Sequence, residues 1–169
     1  MPELPEVETV RSGLAEVMPG KRIIAALQRR PNLRFPFPEN FSDRLKNRTI
    51  QAISRRAKYL LIRLDGDETL LVHLGMSGRF VIGQSDAAHI PGTFYHNATN
   101  LGAHDHVVLH LEDGTQITYS DPRRFGFMDL IADAAMPAYP MLARLGVEPL
   151  GNELNADFLN HAFLGRKTS

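Results

Sequence analysis

Three residues near the start of the chain could do chemistry together: Pro2, Glu3 and Glu6. Met1 followed by a small residue such as proline is normally trimmed, which leaves the secondary amine of Pro2 as the chain end. While Met1 remains, that nitrogen is an amide and no nucleophile. An α-amino group has a pKa of about 8 against ~10.4 for lysine, so an appreciable fraction is unprotonated at neutral pH. At the positive end of a helix the value falls further. A secondary amine attacking an acetal or aldehyde carbon gives an iminium ion, an electron sink that labilises neighbouring C–H bonds. Glu3 is adjacent and Glu6 lies one helical turn on. A carboxyl there can serve as general acid if burial or its neighbour raises its pKa. The same residues also read as an N-terminus shaped by Pro2 and Pro5, with glutamates that complement a helix dipole.

The elements that would position these groups follow from periodicity. Pro5 fits a first helical turn, Val7, Val10, Leu14 and Val17 recur at helical spacing, and Gly20 ends the segment. Short β runs follow at Arg22–Gln28, Thr49–Arg55, Tyr59–Leu64, Thr69–Leu74, Arg79–Ile82, His106–Glu112, Thr115–Ser120 and Gly126–Ile131. Asp65-Gly66-Asp67 and Asp113-Gly114 read as hairpin turns, and Gly83–Ala103 as a long polar loop. The pattern turns helical again in Pro140–Leu145 and Glu153–Leu164. Many short strands separated by tight turns point to an antiparallel sandwich or barrel. The fold class expected is mainly β with α: an antiparallel β-sandwich, an N-terminal helix carrying the nucleophile, and short C-terminal helices. Residues 1–135 are expected to form the sandwich domain, and 136–169 a linker and first helical segment of a second domain. The abrupt stop after Phe163-Leu164 reads as a cut inside a longer protein.

The formal net charge of zero over 169 residues is an average. Residues 1–20 hold Arg11 against four glutamates, a net of −3; residues 21–63 hold twelve Lys or Arg against Glu39 and Asp43, a net of +10. Residues 64–169 hold six bases and thirteen acids, a net of −7. A block that basic points to a polyanion partner, or to a basic face balanced by acids brought near in space. No cysteine is present, which excludes a disulfide scaffold, a thiol nucleophile and a thiolate-bound zinc in this sequence. No apolar run approaches the ~20 residues of a membrane span, and the acidic, proline-broken start is no signal peptide. The expectation is a soluble cytosolic protein with no membrane partner.

Four motifs, taken in order, resemble the bacterial formamidopyrimidine-DNA glycosylase family. They are Pro2-Glu3-Leu4-Pro5-Glu6-Val7-Glu8-Thr9, Arg55-Arg56-Ala57-Lys58-Tyr59-Leu60, His73-Leu74-Gly75-Met76-Ser77-Gly78 and Asp121-Pro122-Arg123-Arg124-Phe125-Gly126. His104-Asp105-His106 fits as well. The resemblance runs over essentially the whole chain, up to Arg166-Lys167-Thr168.

It implies a base-excision repair enzyme that removes oxidised purines (8-oxoguanine, formamidopyrimidines) and cleaves abasic sites. In that family the residue matching Pro2 attacks C1′ of the damaged nucleoside, and the Schiff base leads to β- and then δ-elimination. Glu3 matches the general acid thought to protonate the sugar ring oxygen, and Glu6 a further active-site carboxylate. Lys58 matches a lysine near the lesion phosphate that supports β-elimination. Met76, Arg123 and Phe125 match the residues that fill the void left by the extruded base, with the arginine reading the orphaned cytosine. His73, His104 and Lys167 match contacts to the DNA backbone. The implied partner is double-stranded DNA bearing oxidised purines or abasic sites, bound by a monomer. No metal site is expected from His104, Asp105 and His106, since adjacent strand residues face opposite sides. One zinc ion belongs to a four-cysteine finger in the family's second domain, beyond a helix–two-turns–helix element. With half of the DNA groove missing, the 169-residue chain is expected to be impaired in catalysis.

Overall fold

The computed structural model describes residues 2–84, 101–148 and 151–164. The chain forms two compact units, Met1–Met136 and Pro137–Ser169. The expected Gly83–Ala103 loop lies mostly outside the described residues, and its first part, to Gln84, is strand.

Among the described residues the larger unit holds eight strands in two four-stranded antiparallel sheets. One sheet contains β1 (Ile23–Gln28), β6 (Asp105–Leu111), β7 (Thr115–Ser120) and β5 (Arg79–Gln84), in that order. The other contains β2 (Ile50–Arg56), β3 (Tyr59–Leu64), β4 (Glu68–His73) and β8 (Phe127–Ala132). The core is drawn from both: Ile23, Leu109 and Ile117 from one sheet and Ile53, Leu60, Ile62, Leu64 and Val72 from the other. On β3 the period of two is visible, with Leu60, Ile62 and Leu64 buried and Arg63 out in solvent. The mainly antiparallel β-sandwich with accompanying helices is therefore the observed architecture. The two aspartate–glycine turns join β3 to β4 and β6 to β7, with Gly66 at φ 74° and Gly114 at φ 86°, where glycine is unstrained.

Helix α1 (Leu4–Val17) begins with Pro5 in its first turn and lays Val7 and Leu14, with Met18 beyond its end, into the core. It touches β2 and β3 of one sheet and β5 of the other. Helix α2 (Phe41–Leu45) packs on β1, burying Phe41 and Leu45. It is absent from the sequence expectation because a single helical turn offers one i, i+4 apolar pair and no longer period. Arg22 and Thr49, expected inside strands, instead form an isolated bridge to each other.

After β8 a 3-10 turn spans Asp133–Ala138. In the smaller unit α3 covers Pro140–Ala143 and α4 covers Ala156–Phe163. The Asn155 side chain caps α4 by accepting a hydrogen bond from the Phe158 amide at 2.9 Å. No helix among the described residues is long and apolar enough to cross a membrane.

Candidate functional site

The start of α1 and the β2–β3 hairpin converge. Glu3 is the residue preceding the helix, and its backbone N–H donates to the Glu6 carboxylate. That fixes the chain direction at half-buried Pro2. The hairpin turns through Ala57, held at φ 49°, and Lys58. The turn aims the Lys58 ammonium back at the helix start, where Nζ lies 2.7 Å from Glu3 Oε2. The hydrogen bond and charge of Lys58 hold the Glu3 carboxyl below the usual carboxylate range. The condition set for a general acid, a raised pKa, is therefore not met in the unbound protein. The physical reason is that Glu3 is solvent-exposed and its neighbour is a cation.

Behind this pair stands a contact that the sequence reading did not single out. Arg55, with its side chain only 7% exposed, donates from Nε to Glu8 Oε2 at 2.8 Å and from Nη1 to the Ala57 carbonyl at 2.8 Å. It joins α1 to the turn that carries Lys58. The signal was present, since Glu8 and Arg55 sit in the first and second motifs, but nothing local couples positions 47 residues apart. Replacing Glu8 by Ala is expected to cost about 2 kcal/mol at neutral pH, because it takes the carboxylate from a largely buried guanidinium. Arg55 holds the Glu8 carboxyl below its usual range. The contribution is thus present above the unfolded carboxylate pKa and is lost as pH falls through the lower folded value. Urea unfolding of wild type and Glu8→Ala should accordingly differ at pH 7, and the difference should shrink as pH falls below the ordinary carboxylate range.

A second region lies at the end of β4. The His73 ring stacks on Phe127 with centroids 5.6 Å apart and lies 5.1 Å from that of Tyr59. Its Nδ1 accepts from the Gly75 amide at 3.1 Å. Burial, then the nearby charges of Arg34 and Lys58, push the His73 pKa down. The ring is neutral with its proton on Nε2, a hydrogen-bond donor that carries no charge.

Two loops then meet. Residues 74–78 present Met76, 40% exposed; residues 121–126 present Arg123 over the Phe125 ring, with the guanidinium carbon 5.0 Å from the centroid and Phe125 45% exposed. They are joined by a fully buried carboxylate. Asp121 Oδ1 accepts from Ser77 Oγ at 2.6 Å, and Oδ2 accepts from the Gly126 amide at 2.8 Å and from Tyr119 Oη at 3.3 Å. Ser77 Oγ in turn accepts from the Arg123 amide at 3.1 Å. The backbones pass so closely that a Cβ on Gly75 would lie 2.3 Å from the Gly126 nitrogen, and one on Gly126 would lie 2.0 Å from Tyr119 Oη. Glycine is required at both positions.

His104 is exposed, and its carbonyl accepts from the Asp121 amide at 2.9 Å. His106 is buried, with Nε2 donating to the Asp121 carbonyl at 2.9 Å, so its role is structural. Among the described residues no group of three or more His, Asp or Glu gathers around a possible metal position. The zinc implied by the resemblance needs four cysteines, and this sequence has none, so these residues do not fit it. Lys167 lies outside the described residues.

Much of the basic block is neutralised in space. Arg44 pairs with Glu68, Arg48 with Asp65, Arg63 with Asp133, Lys21 with Asp113 and Arg22 with Glu112. Arg29 is taken up by the carbonyls of Gly102 and Asp105.

A two-sheet fold, with a lysine hairpin facing the N-terminus and two interlocked glycine-bearing loops, is the arrangement to set beside known proteins. Residues 1–128 match the family model described as the formamidopyrimidine-DNA glycosylase N-terminal domain. The chain belongs to the formamidopyrimidine-DNA glycosylase family. It is 52% identical over 169 residues to the formamidopyrimidine-DNA glycosylase of Azorhizobium caulinodans, covering all of this chain and 58% of that protein. It is 54% identical to that of Methylocella silvestris, with the same coverage. It is also similar to a crystal structure of the Lactococcus lactis enzyme bound non-covalently to DNA containing an abasic site (TM-score 0.77, 31% identity, 96% of this chain and 57% of that one). A second structure of the Lactococcus lactis enzyme, with DNA containing an oxidised pyrimidine, gives a TM-score of 0.72 at 34% identity, over 88% of this chain and 51% of that one. The chain thus spans somewhat more than half the length of these relatives.

Proposed function

We propose that this chain supplies the reacting half of a base-excision repair enzyme that removes oxidised purines from double-stranded DNA and then cleaves the abasic site. The observation that carries the reading is the 2.7 Å contact of Lys58 Nζ with Glu3 Oε2 beside Pro2 at the start of α1. It gathers an amine, a carboxylate and a phosphate-seeking cation around one point, which is what attack on a sugar–phosphate requires. With Met1 removed, the Pro2 nitrogen bonds to C1′ and the bond to the base breaks, the base leaving with a proton. Once the lesion phosphate draws Lys58 away, Glu3 takes a proton from solvent and passes it to the ring oxygen, which opens the sugar and leaves an iminium ion. Loss of a C2′ proton then expels the 3′ phosphate, and a second elimination expels the 5′ phosphate.

Lys58 orients the lesion phosphate, His73 donates Nε2–H to a neighbouring backbone oxygen, and His104 and Lys167 serve the backbone further along. Met76, Arg123 and Phe125 enter the stack where the base has left, and the locked geometry of the two loops supports that role, because a wedge must be rigid to displace a base. The cell compartment that accompanies this reading is the bacterial cytoplasm.

Borohydride reduction on 8-oxoguanine or abasic duplex DNA tests the reading. A Met1-free sample is expected to give a covalent adduct on the Pro2 peptide, and Pro2→Gly to reduce it sharply. Salt-sensitive DNA binding without any adduct would instead make this chain a DNA-binding module that does no chemistry.

A further inference from the structure

We infer that Arg34 and Phe35 form a second DNA-contacting tip beside the Arg123–Phe125 loop, in which Arg34 takes a backbone phosphate and Phe35 packs against the adjoining nucleotide. The inference rests on the reading of the chain as a DNA-binding repair domain, and none of the four sequence motifs includes these residues.

The segment is built as a rigid presentation loop. Leu33 and Phe37 are buried and anchor it, Asn32 and Pro36 pair in an isolated bridge, and the amides of Leu33 and Phe37 donate to the carbonyls of Phe35 and Pro31 at 3.0 and 3.1 Å. Between the anchors, Arg34 and Phe35 stand in solvent, with Phe35 41% exposed. A large exposed aromatic ring held on a closed loop is unusual for a purely structural residue, since burial would have been the favourable outcome for its area. Phe35 is steadied edge-on by Phe127, with centroids 5.3 Å apart, and Phe127 is the ring on which His73 stacks.

The tip is continuous with the candidate DNA surface. The Arg34 amide donates to the Gly126 carbonyl at 3.0 Å, which ties it to the end of the loop that bears Arg123 and Phe125. The two tips share one design, an arginine over an exposed phenylalanine, at 5.4 Å for Arg34 over Phe35 and 5.0 Å for Arg123 over Phe125. The charge of Arg34 is also available. Seven bases of the surrounding block (Lys21, Arg22, Arg44, Arg48, Arg55, Lys58 and Arg63) are paired with acids as described above, and among the described residues no carboxylate pairs with Arg34. Arg34 acts on the His73 ring electrostatically, as Lys58 does, so the three groups address one stretch of surface. A planar guanidinium matches phosphate oxygens, and an aromatic face accepts any base or sugar, so the partner is the DNA backbone without regard to sequence.

The test measures equilibrium binding of the full-length protein to a duplex carrying a stable abasic-site analogue, across a salt series. Arg34→Ala is expected to weaken binding by about tenfold and to reduce the slope of log K against log salt by about 1, equally for all flanking sequences. Arg34→Lys should retain the slope. Phe35→Leu should weaken binding with the slope unchanged, since no charge is removed. Thermal melting of each variant separates a folding defect from a contact, and Arg34, being exposed, tolerates truncation. If wild type binds with a steep salt dependence and forms the Pro2 adduct while Arg34→Ala leaves affinity and slope unchanged, the inference is overturned and the reading of function stands. If wild type shows no salt-dependent binding, both fall.

Discussion

Asp121→Asn is expected to lower the free energy of unfolding by about 3 kcal/mol, one of the largest effects of any near-isosteric change in this chain. The carboxylate is fully buried and accepts three hydrogen bonds, from a hydroxyl on one loop, from an amide on the other and from the Tyr119 hydroxyl. Burial, reinforced by the Asp121 charge, pushes the Tyr119 hydroxyl well above its usual range, so it stays a donor. An amide has one acceptor oxygen where the carboxylate has two, and its NH2 would face a donor with no room to turn away. Nothing on the two loops can move to help. Gly75 and Gly126 already bring backbones to distances that a Cβ would not tolerate. At this chain length a loss of about 3 kcal/mol corresponds to a fall in Tm of roughly 9 °C. Urea unfolding checks the figure, and a loss below about 1 kcal/mol would mean that the three hydrogen bonds contribute little. Because Ser77 relays the same network to the Arg123 amide, Ser77→Ala should show a smaller loss in the same direction.

The strands were legible because their cause is local. Alternation on β3 and aspartate–glycine turns at 65–67 and 113–114 act within a few residues, and the two sheets followed. The networks were not legible, because their partners are distant in the chain. Ser77 meets Asp121 across 44 residues and Glu8 meets Arg55 across 47. No period in the sequence encodes either meeting.

The basic block shows the same limit in another form. Residues 21–63 carry a net charge of +10, which points to a polyanion partner or to balance by acids near in space. Pairing in space divides the block between them. Arg44, Arg48, Arg63, Lys21 and Arg22 hold the sandwich together at its surface, each worth little singly. Arg34, which pairs with no carboxylate among the described residues, is the base that the proposal above gives to a partner. The Glu3 carboxyl likewise reads from its place beside Pro2 as a general acid on condition that burial or a neighbour raises its pKa, and the hairpin places beside it a cation that lowers it instead.

That contact leads to the second large effect. Lys58→Met is expected to slow β-elimination on a preformed abasic site by about 100-fold or more, and at the same time to raise the Glu3 carboxyl toward its ordinary value. In the unbound protein Lys58 stabilises the charged form of Glu3, and a lesion phosphate would compete for the same ammonium. Once the phosphate holds Lys58, the hydrogen bond that keeps Glu3 ionised is lost and its proton affinity rises. Binding would thus raise the proton affinity of Glu3 toward the ordinary carboxylate range as the sugar arrives. The sign is definite: a carboxyl lowered by a cation rises when the cation is removed or engaged elsewhere. Because Glu3 is exposed, the pair acts as a proton switch and contributes little to stability. Two measurements separate the roles of Lys58. An NMR titration of Glu3 should move upward in Lys58→Met, and upward in wild type on adding abasic-analogue duplex. Single-turnover lyase rates should fall in the variant at every pH, while borohydride trapping on Pro2 persists more weakly. An unchanged Glu3 titration on DNA binding would mean that Lys58 stays with the carboxylate and that the phosphate is held by other groups.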